Sequence, residues 1–342
     1  MTRKMASALF VSAVLATPLA QAAEVVLKVA HFWPPAAISQ RKVLEPWCEK
    51  IKAASSGRME CQLYPSMQLG GTPPQLYQQA ADGVADIVWT VPGYTAGRFP
   101  SVEVFELPFM AKDAESTSRA LWAYYEKFGR KDFAAVHPLA FHVQDPGYIH
   151  TNKRQIKNIE DVKGLKIRTP TRVTTKMFTA LGATPVSMPM PSLPEALSKG
   201  VVDGYILTWE SVPSVKLHEL TRYHTETDRS QPALYTAVFA MVMNKKRYES
   251  LPPDLRKVID EHSGVEFSAS IGRAWDEAGP PARQMAIERG NVLNMLSGAE
   301  LDAFKKVGEQ VSHDWIEEMT AKGHPAQEMY DTARALLRQY GH

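Results

Sequence analysis

Two stretches of the chain carry the same order of features, and this order limits the possible folds more than any other property of the sequence. Residues 83–86 (GVAD) and 200–203 (GVVD) each follow a helical pattern and each precede a short apolar strand. Both strands end at a tryptophan, Trp89 in one case and Trp209 in the other. Glycine commonly ends helices, so shared C-cap chemistry also explains part of the similarity. The pattern predicts two α/β lobes of like topology.

The surrounding segments extend this alternation of strands and helices. In the first half, strand patterns at 24–30, 60–64 and 87–90 alternate with helical patterns at 38–55 and 72–83. In the second half, strand patterns at 166–169, 184–188 and 205–208 alternate with helical patterns at 172–181 and 192–199. Such spacing is typical of βαβ units in parallel or mixed sheets.

The last third of the chain reads mainly as helix. A strand pattern at 235–244 is followed by a long helical region that starts at Pro252, and residues 279–281 (GPP) are expected to break or kink it. Two further helices are predicted near 299–322 and 326–340.

The N-terminus has the order of a secretory signal. Arg3 and Lys4 precede an uncharged apolar stretch, and Ala20 and Ala22 supply the small residues of a cleavage site after Ala22. The apolar stretch is shorter than the ~20 residues of a membrane-spanning helix, although an uncleaved anchor is an alternative. Cleavage of the 342-residue chain would leave about 320 residues, which favours two lobes over one core. We therefore expect an exported, soluble protein.

Composition and motifs argue against several functions. The formal net charge is only +2 and no basic run occurs, which speaks against nucleic-acid binding. The sequence lacks a nucleophile elbow, a phosphate-binding glycine loop and a dinucleotide fingerprint, and its histidines lack the spacing of a metal pair. We expect neither cofactor nor metal.

Two cysteines remain in the mature chain. Cys48 falls on the first predicted helix and Cys61 on the next strand. In an oxidising compartment they are a candidate disulfide, and two buried free thiols are the alternative.

Arg168 is the leading candidate for ligand binding. It lies at the carboxyl end of a short strand, where open α/β sheets bind their ligands. Its guanidinium can hold a carboxylate by two parallel hydrogen bonds, although most arginines have structural roles.

Further candidates follow strands or lie in the loops that leave them. Large side chains at strand ends commonly form the walls of small-molecule sites, although each alone more often fills a core. Glu210 adds a carboxylate that could accept a hydrogen bond from a ligand hydroxyl or cap the next helix. The aromatic and imidazole candidates are His31, Phe32, Trp33, Trp89, Tyr94, Tyr148 and Trp209.

Several motifs in consistent order resemble the substrate-binding proteins of TRAP transporters, the DctP family. The resemblance covers essentially the whole mature chain. The motifs are GLKIRTP at 164–170, LGATPV at 181–186, MP at 188–189, GVVDG at 200–204, YPxxQLGG at 64–71 and NKxxYxxLP at 244–252.

The resemblance implies a periplasmic protein of the two-lobed, class II-like binding-protein fold, with mixed sheets and one long helix spanning both lobes. It assigns 23–145 with 233–273 to the first lobe and 146–232 with 274–342 to the second. The crossing segments 144–148 and 233–237 would form the hinge. Arg168 would bind the carboxylate of a small organic acid, and Met190 would contact the ligand. The partners would be TRAP permease subunits in the membrane, and we expect a monomer.

Two positions depart from the sialic-acid-binding members of this family. Leu207 stands where they carry an asparagine, and Gly147 stands about where they carry a second arginine. An apolar or aromatic monocarboxylate, such as a 2-hydroxy, 2-oxo or aromatic acid, therefore fits better than a sugar acid. The alternatives are a periplasmic enzyme that uses His31 or Glu210 as general base, and a sensor or ABC-type receptor.

Overall fold

The computed structural model describes residues 23–341. The expected signal peptide at 1–22 lies outside the described residues. Within 23–341, two β-sheets carry helices on their faces, as the α/β pattern predicted. No helix in this range has both the length and the hydrophobicity of a membrane span.

Eleven strands occur in the described range, and most follow the predicted positions closely. In chain order they are β1 (Val25–His31), β2 (Met59–Tyr64), β3 (Ile87–Thr90), β4 (Val136–Val143), β5 (Gly147–Thr151), β6 (Lys166–Thr169), β7 (Thr184–Ser187), β8 (Gly204–Thr208), β9 (Tyr223–Thr227), β10 (Val238–Asn244) and β11 (Val292–Leu296).

The first sheet has the order β2-β1-β3-β10-β4. β1 runs parallel to β2 and β3, whereas β10 is antiparallel to β3 and β4. The central strands β3 and β10 are buried on both faces and are accordingly almost continuously apolar. This sheet forms the core of the first lobe.

The second sheet has the order β11-β9-β5-β8-β6-β7. β6 runs parallel to β7 and β8, and β11 runs parallel to β9, whereas β5 is antiparallel to both β8 and β9. The observed architecture is therefore two lobes with mixed sheets, which confirms the predicted fold class.

Twelve α-helices cover these sheets in the described range. They are α1 (Glu45–Ala54), α2 (Leu76–Asp82), α3 (Ala114–Tyr124), α4 (Arg172–Ala180), α5 (Leu193–Ser198), α6 (Ser211–Ser214), α7 (Leu217–Leu220), α8 (Lys245–Ser250), α9 (Pro253–Glu261), α10 (Val265–Glu288), α11 (Gly298–Ala321) and α12 (Ala326–Tyr340). A π-helical turn, Ser39–Leu44, precedes α1, and a 3₁₀ segment, Pro100–Glu106, precedes α3.

Helix α10 differs from one prediction and contacts both lobes. It continues through Pro280 and Pro281, so the expected break does not occur. Both prolines are exposed, so their missing N–H groups and bulky rings fall on the side of the helix that faces solvent. The helix packs against α3 and β4 of the first lobe, and its Arg283 pairs with Glu226 on β9 of the second.

The chain crosses between the lobes at two adjacent segments. Gly147 and Tyr235 form an isolated antiparallel bridge, and the Thr236 hydroxyl donates to the carbonyl of Gln144 at 2.8 Å. The lobe boundaries given above remain a prediction. Within the tail assigned to the second lobe, α12 packs against α3 of the first.

The two cysteines are joined. Cys48 on α1 and Cys61 on β2 form a disulfide that ties the first helix to the edge strand of the first sheet.

Candidate functional site

One cavity lies between the lobes at the carboxyl ends of the central parallel strands. In the first sheet β1 lies between β2 and β3, and in the second β6 lies between β7 and β8, so each sheet has a point where the helical connections diverge. Such points open a crevice in which α/β proteins bind ligands. Residues that follow or end β1, β3, β6 and β8 line the same space.

Arg168 lies in the wall of this cavity. Residue Arg168 on β6 pairs with Val186 on β7 and Tyr205 on β8, so neighbouring strands fix its backbone on both sides. Its Nε donates to the carbonyl of Met188 at 2.9 Å, and its Nη1 donates to the carbonyl of Ile206 at 3.3 Å. These bonds orient the guanidinium.

The guanidinium has no anionic partner among the described residues. Arg168 is 1% exposed, its Nη2 has no hydrogen-bond partner, and no carboxylate in the range 23–341 lies within ion-pair distance. A buried cation without a counter-charge is costly. The cavity is therefore suited to an anion.

Tyr94 links the two lobes beside this arginine. It follows β3 in the first lobe, and its hydroxyl accepts a hydrogen bond from the backbone N–H of Met190 in the second lobe at 3.1 Å. Burial raises the pKa of Tyr94, while the nearby charge of Arg168 acts in the opposite direction. Tyr94 and Met190 thus line the cavity from opposite lobes.

Aromatic rings form much of the remaining wall. Phe32 and Trp33 are stacked with ring centroids 3.9 Å apart, and Trp33 also stacks on Phe239 at 5.5 Å. Tyr94 lies 5.6 Å from Phe32, and Tyr235 closes the side at the crossing segments. Flat apolar surfaces of this kind accommodate a ring.

Of the two positions that depart from the sialic-acid-binding members, one lines this cavity and the other packs against Tyr235 of its wall. Leu207 on β8 lines it and presents an apolar side chain. A Cβ on Gly147 would lie 2.1 Å from the Tyr235 ring, so Tyr235 already fills the space that a longer side chain at position 147 would need. The cavity therefore has no second arginine.

Five of the ten candidate residues line the cavity, namely Arg168, Met190, Phe32, Trp33 and Tyr94. Their contact with a ligand remains a prediction.

The other five lie outside this lining. Trp89 donates its indole N–H to His142 at 2.8 Å, and Trp209 donates to Glu226 at 2.6 Å, so both tryptophans are held in the lobe interiors. Tyr148 is buried on β5.

His31 and Glu210, the two residues considered as general bases, are also outside the lining. Both are buried. Desolvation lowers the pKa of His31 to about 4, so its imidazole is neutral. Burial raises the pKa of Glu210 to about 7, and one of its oxygens accepts from the Ser211 hydroxyl at 2.6 Å. Glu210 faces a second, smaller void beside the first.

Sequence reasoning did not single out several residues of the wall. Gln144 and Tyr235 lie on the crossing segments, and Phe239 lies on β10, so only the tertiary arrangement brings them to the strand ends. Ser211 follows Glu210 directly, and its position after β8 was the available signal.

A surface groove and one cluster of polar side chains lie outside the cavity that holds Arg168. A larger open groove, lined in part by Phe109, Lys305 and Arg338, lies at the surface against α11 and α12. In the described range, one group of metal-ligand type has its ligand atoms within 4.8 Å of one another, His313, Asp314 and Glu317, and all three are exposed on α11.

The sequence matches the family described as bacterial extracellular solute-binding protein, family 7, over residues 29–318. A TRAP solute-binding protein from Rhodoferax ferrireducens, solved with copurified benzoate, is 48% identical with a TM-score of 0.91, over 92% of this chain and 98% of that one. A marine metagenome TRAP protein specific for aromatic acids, solved with 3-hydroxybenzoate, is 46% identical with a TM-score of 0.92, over 94% and 100%.

A more distant relative comes from Bordetella bronchiseptica. This TRAP solute-binding protein, solved with both enantiomers of mandelate, is 29% identical with a TM-score of 0.84, and the match covers 92% of this chain and 99% of that one.

Proposed function

The chain belongs to the bacterial extracellular solute-binding proteins of family 7, and on this premise we propose that it binds an aromatic monocarboxylate between its lobes and delivers it to a TRAP-type permease. Members of this family are solute-binding receptors. The proposal extends that general role to a ligand class and to named residues.

The observation that carries the proposal is the unpaired charge of Arg168. A guanidinium that is 1% exposed and has no carboxylate within ion-pair distance in the described range is costly unless a ligand supplies the missing charge. Arg168 Nη2 is the free donor, and a carboxylate would accept its hydrogen bond in a water-poor space where charge-assisted bonds are strong.

The rest of the wall favours a ring with one carboxylate. Phe32, Trp33 and Phe239 offer flat apolar surfaces, and Leu207 adds an aliphatic one. No second arginine or lysine lines the cavity, so a second carboxylate would be buried without a partner.

The relatives support the same class. The proteins at 48% and 46% identity were solved with benzoate and 3-hydroxybenzoate, respectively, and the Bordetella protein with mandelate, which is also an aromatic acid.

The setting of this activity follows from the family and the sequence. We propose that the chain works in the periplasm after removal of residues 1–22, as a monomer, and that the membrane-embedded TRAP subunits are its partner. Closure of the lobes would exclude water around the carboxylate and strengthen its pairing with Arg168.

The test is calorimetry with benzoate, benzamide and succinate. Benzoate is expected to bind. Benzamide is expected not to bind because it lacks the charge, and succinate is expected not to bind because it lacks the ring and carries a second carboxylate. Arg168→Met should weaken benzoate binding by about 2–5 kcal/mol, because the charge pair is lost from a desolvated site. The exposed Arg334→Met is the matched control, and thermal unfolding of each variant checks that it folds. Equal binding of benzoate and benzamide, or unchanged benzoate affinity in Arg168→Met, would contradict the proposal.

A further inference from the structure

A second, smaller void adjoins the cavity that holds Arg168. Trp33 and Ser211 line both spaces, so the two are neighbours across these side chains. The second void is lined further by Ser39, Glu210 and Trp275.

Three buried polar atoms in this void make no hydrogen bond of normal geometry, although the Trp275 indole lies near enough to the Glu210 carboxyl to act against the rise in its pKa. They are the hydroxyl of Ser39, one carboxyl oxygen of Glu210 and the indole N–H of Trp275. Ser39 is 1% exposed, Glu210 6% and Trp275 1%, so solvent does not satisfy them from outside. Leaving such atoms unpaired costs about 1–3 kcal/mol each, which marks the void as a place for a polar group.

The chemistry of the three atoms limits what that group can be. The indole N–H only donates, the ionised carboxylate of Glu210 only accepts, and the hydroxyl of Ser39 does either. An occupant that satisfies these atoms therefore donates to Glu210 and accepts from Trp275 or Ser39. An ammonium cannot accept a hydrogen bond, and a second carboxylate would be repelled by Glu210. A hydroxyl can do both.

We propose that this void is a substituent subsite that selects aromatic acids bearing a ring hydroxyl, with Ser39, Glu210 and Trp275 as its specificity-determining residues. The inference rests on the function proposed above, with the carboxylate on Arg168 and the ring between the aromatic walls. The hydroxyl then reaches past Trp33 and Ser211.

The subsite also joins the parts of the molecule that close on the ligand. Ser39 begins the π-helical turn of the first lobe, Glu210 follows β8 of the second, and Trp275 belongs to the spanning helix α10. Trp275 is held rigidly, since its ring lies 5.5 Å from that of Trp89 and 5.1 Å from that of His142. A hydroxyl in this position contacts all three parts at once.

The experiment compares benzoate with 2-, 3- and 4-hydroxybenzoate by calorimetry at pH 8, above the pKa of Glu210. At least one isomer is expected to bind wild-type protein about tenfold tighter than benzoate, which corresponds to about 1.4 kcal/mol. The readout is the ratio of the dissociation constant of benzoate to that of the tightest-binding hydroxybenzoate, measured for each variant. This ratio should fall to about one in both Ser39→Ala and Trp275→Phe. Two variants are used so that the test still stands if one of them does not fold.

Ser312→Ala is the matched control, because Ser312 is also buried but lies on α11 and donates to the carbonyl of Gly308. It should leave the ratio unchanged. If benzoate binds but no hydroxybenzoate binds tighter, the subsite holds only water and the inference is overturned, while the proposed function stands. A ratio that persists in both variants also overturns it. If no aromatic acid binds wild-type protein, the proposed function itself fails.

Discussion

Glu106 is a buried carboxyl at the contact between the lobes, and its charge state is set by its surroundings. One oxygen accepts from the backbone N–H of Val238 at 3.2 Å, whereas the other has no partner. Gly93 lies close by, since a Cβ there would be 3.1 Å from the Glu106 carboxyl and 2.5 Å from Thr171 of the second lobe. Desolvation raises the pKa of Glu106 from 4.5 to about 8, so the folded protein holds this proton more tightly than the unfolded chain does.

This shift predicts how stability changes with pH. A carboxyl with a raised pKa in the folded state stabilises the fold when protonated, and that contribution is lost as pH rises from about 4.5 through about 8. Glu106→Gln removes the titration while keeping the shape, so its melting temperature should fall less than that of wild type between pH 5.5 and pH 8.5. Thermal unfolding across this range measures the effect, with the exposed Glu249→Gln as control. Parallel curves for wild type and Glu106→Gln would refute the assignment.

At the level of single residues, the sequence was informative where chain position alone places a side chain. Arg168 ends a strand, and Phe32, Trp33 and Tyr94 follow strands, and all four line the cavity. Chain position does not show which way a buried ring points, however. Trp209 also follows a strand, but its indole turns to Glu226, a partner 17 residues away on β9.

Three strands of the second sheet are joined by a chain of neutral imidazoles. His150 on β5 donates from Nε2 to the carbonyl of Leu207 on β8 at 3.1 Å, so its Nδ1 accepts. His224 on β9 therefore donates from Nδ1 to His150 at 2.7 Å, which leaves its Nε2 unprotonated and facing the amide nitrogen of Asn291 at 2.9 Å. Since Leu207 follows Ile206, which binds Arg168, this chain supports the strand that positions the arginine.

The chain requires one tautomer of each ring. Burial lowers the pKa of His150 from 6.5 to about 4 and that of His224 from 6.5 to about 2, so both rings stay neutral in the folded protein at pH values where a histidine of the unfolded chain becomes charged. The stability that the neutral rings contribute is therefore complete above about pH 6.5 and is lost progressively as pH falls from 6.5 towards these values. Nitrogen-resolved NMR at pH 5.5 should show the Nε2–H form of His150 and the Nδ1–H form of His224. The exposed His313 provides the signal of a solvated ring in the same spectrum. A doubly protonated ring, or the reversed tautomers, would disprove the arrangement.

Elements with strong local signals were predicted well, and those that depend on their neighbours were not. β3 and β6 begin and end where the sequence predicted them, at 87–90 and 166–169. β11 is a partly exposed edge strand between two long helices, and its sequence VLNML lacks alternation, so nothing local marked it. Residues 279–281 break helices in isolation, but packing of α10 against both lobes keeps it continuous here.

Across the whole molecule, a cluster of ion pairs bridges the lobes away from the cavity. Arg172 on α4 of the second lobe binds Glu103 of the first lobe and both oxygens of Glu318 on α11 at 2.8 Å. Trp315 on α11 also donates to Glu103, at 3.2 Å. Because these contacts cross between lobes, they stabilise the closed arrangement.

Removing this bridge should weaken ligand binding without touching the site. Arg172→Met is expected to lower benzoate affinity roughly three- to tenfold, because the competent closed state becomes less populated. Arg273→Met is the control, since Arg273 pairs with Glu115 and both lie where α10 packs on α3. Calorimetry measures the affinity, and small-angle scattering of the ligand-free protein should show a larger radius of gyration. Equal affinities in the two variants would exclude a role in closure.

The whole-molecule architecture followed from the repeated strand–helix pattern and the family motifs, because both report topology. The composition of the wall did not, since Gln144, Tyr235 and Phe239 reach it only through the crossing of the chain between lobes. Their placement depends on how two separately folded units meet, which no local pattern records.

The enclosure of Arg168 has a kinetic consequence. A molecule held against a side chain that is 1% exposed cannot leave while the two lobes are closed. Its mean residence time is therefore limited by how often the lobes open. A partner that separates the two lobes would therefore release the bound molecule without competing for its contacts.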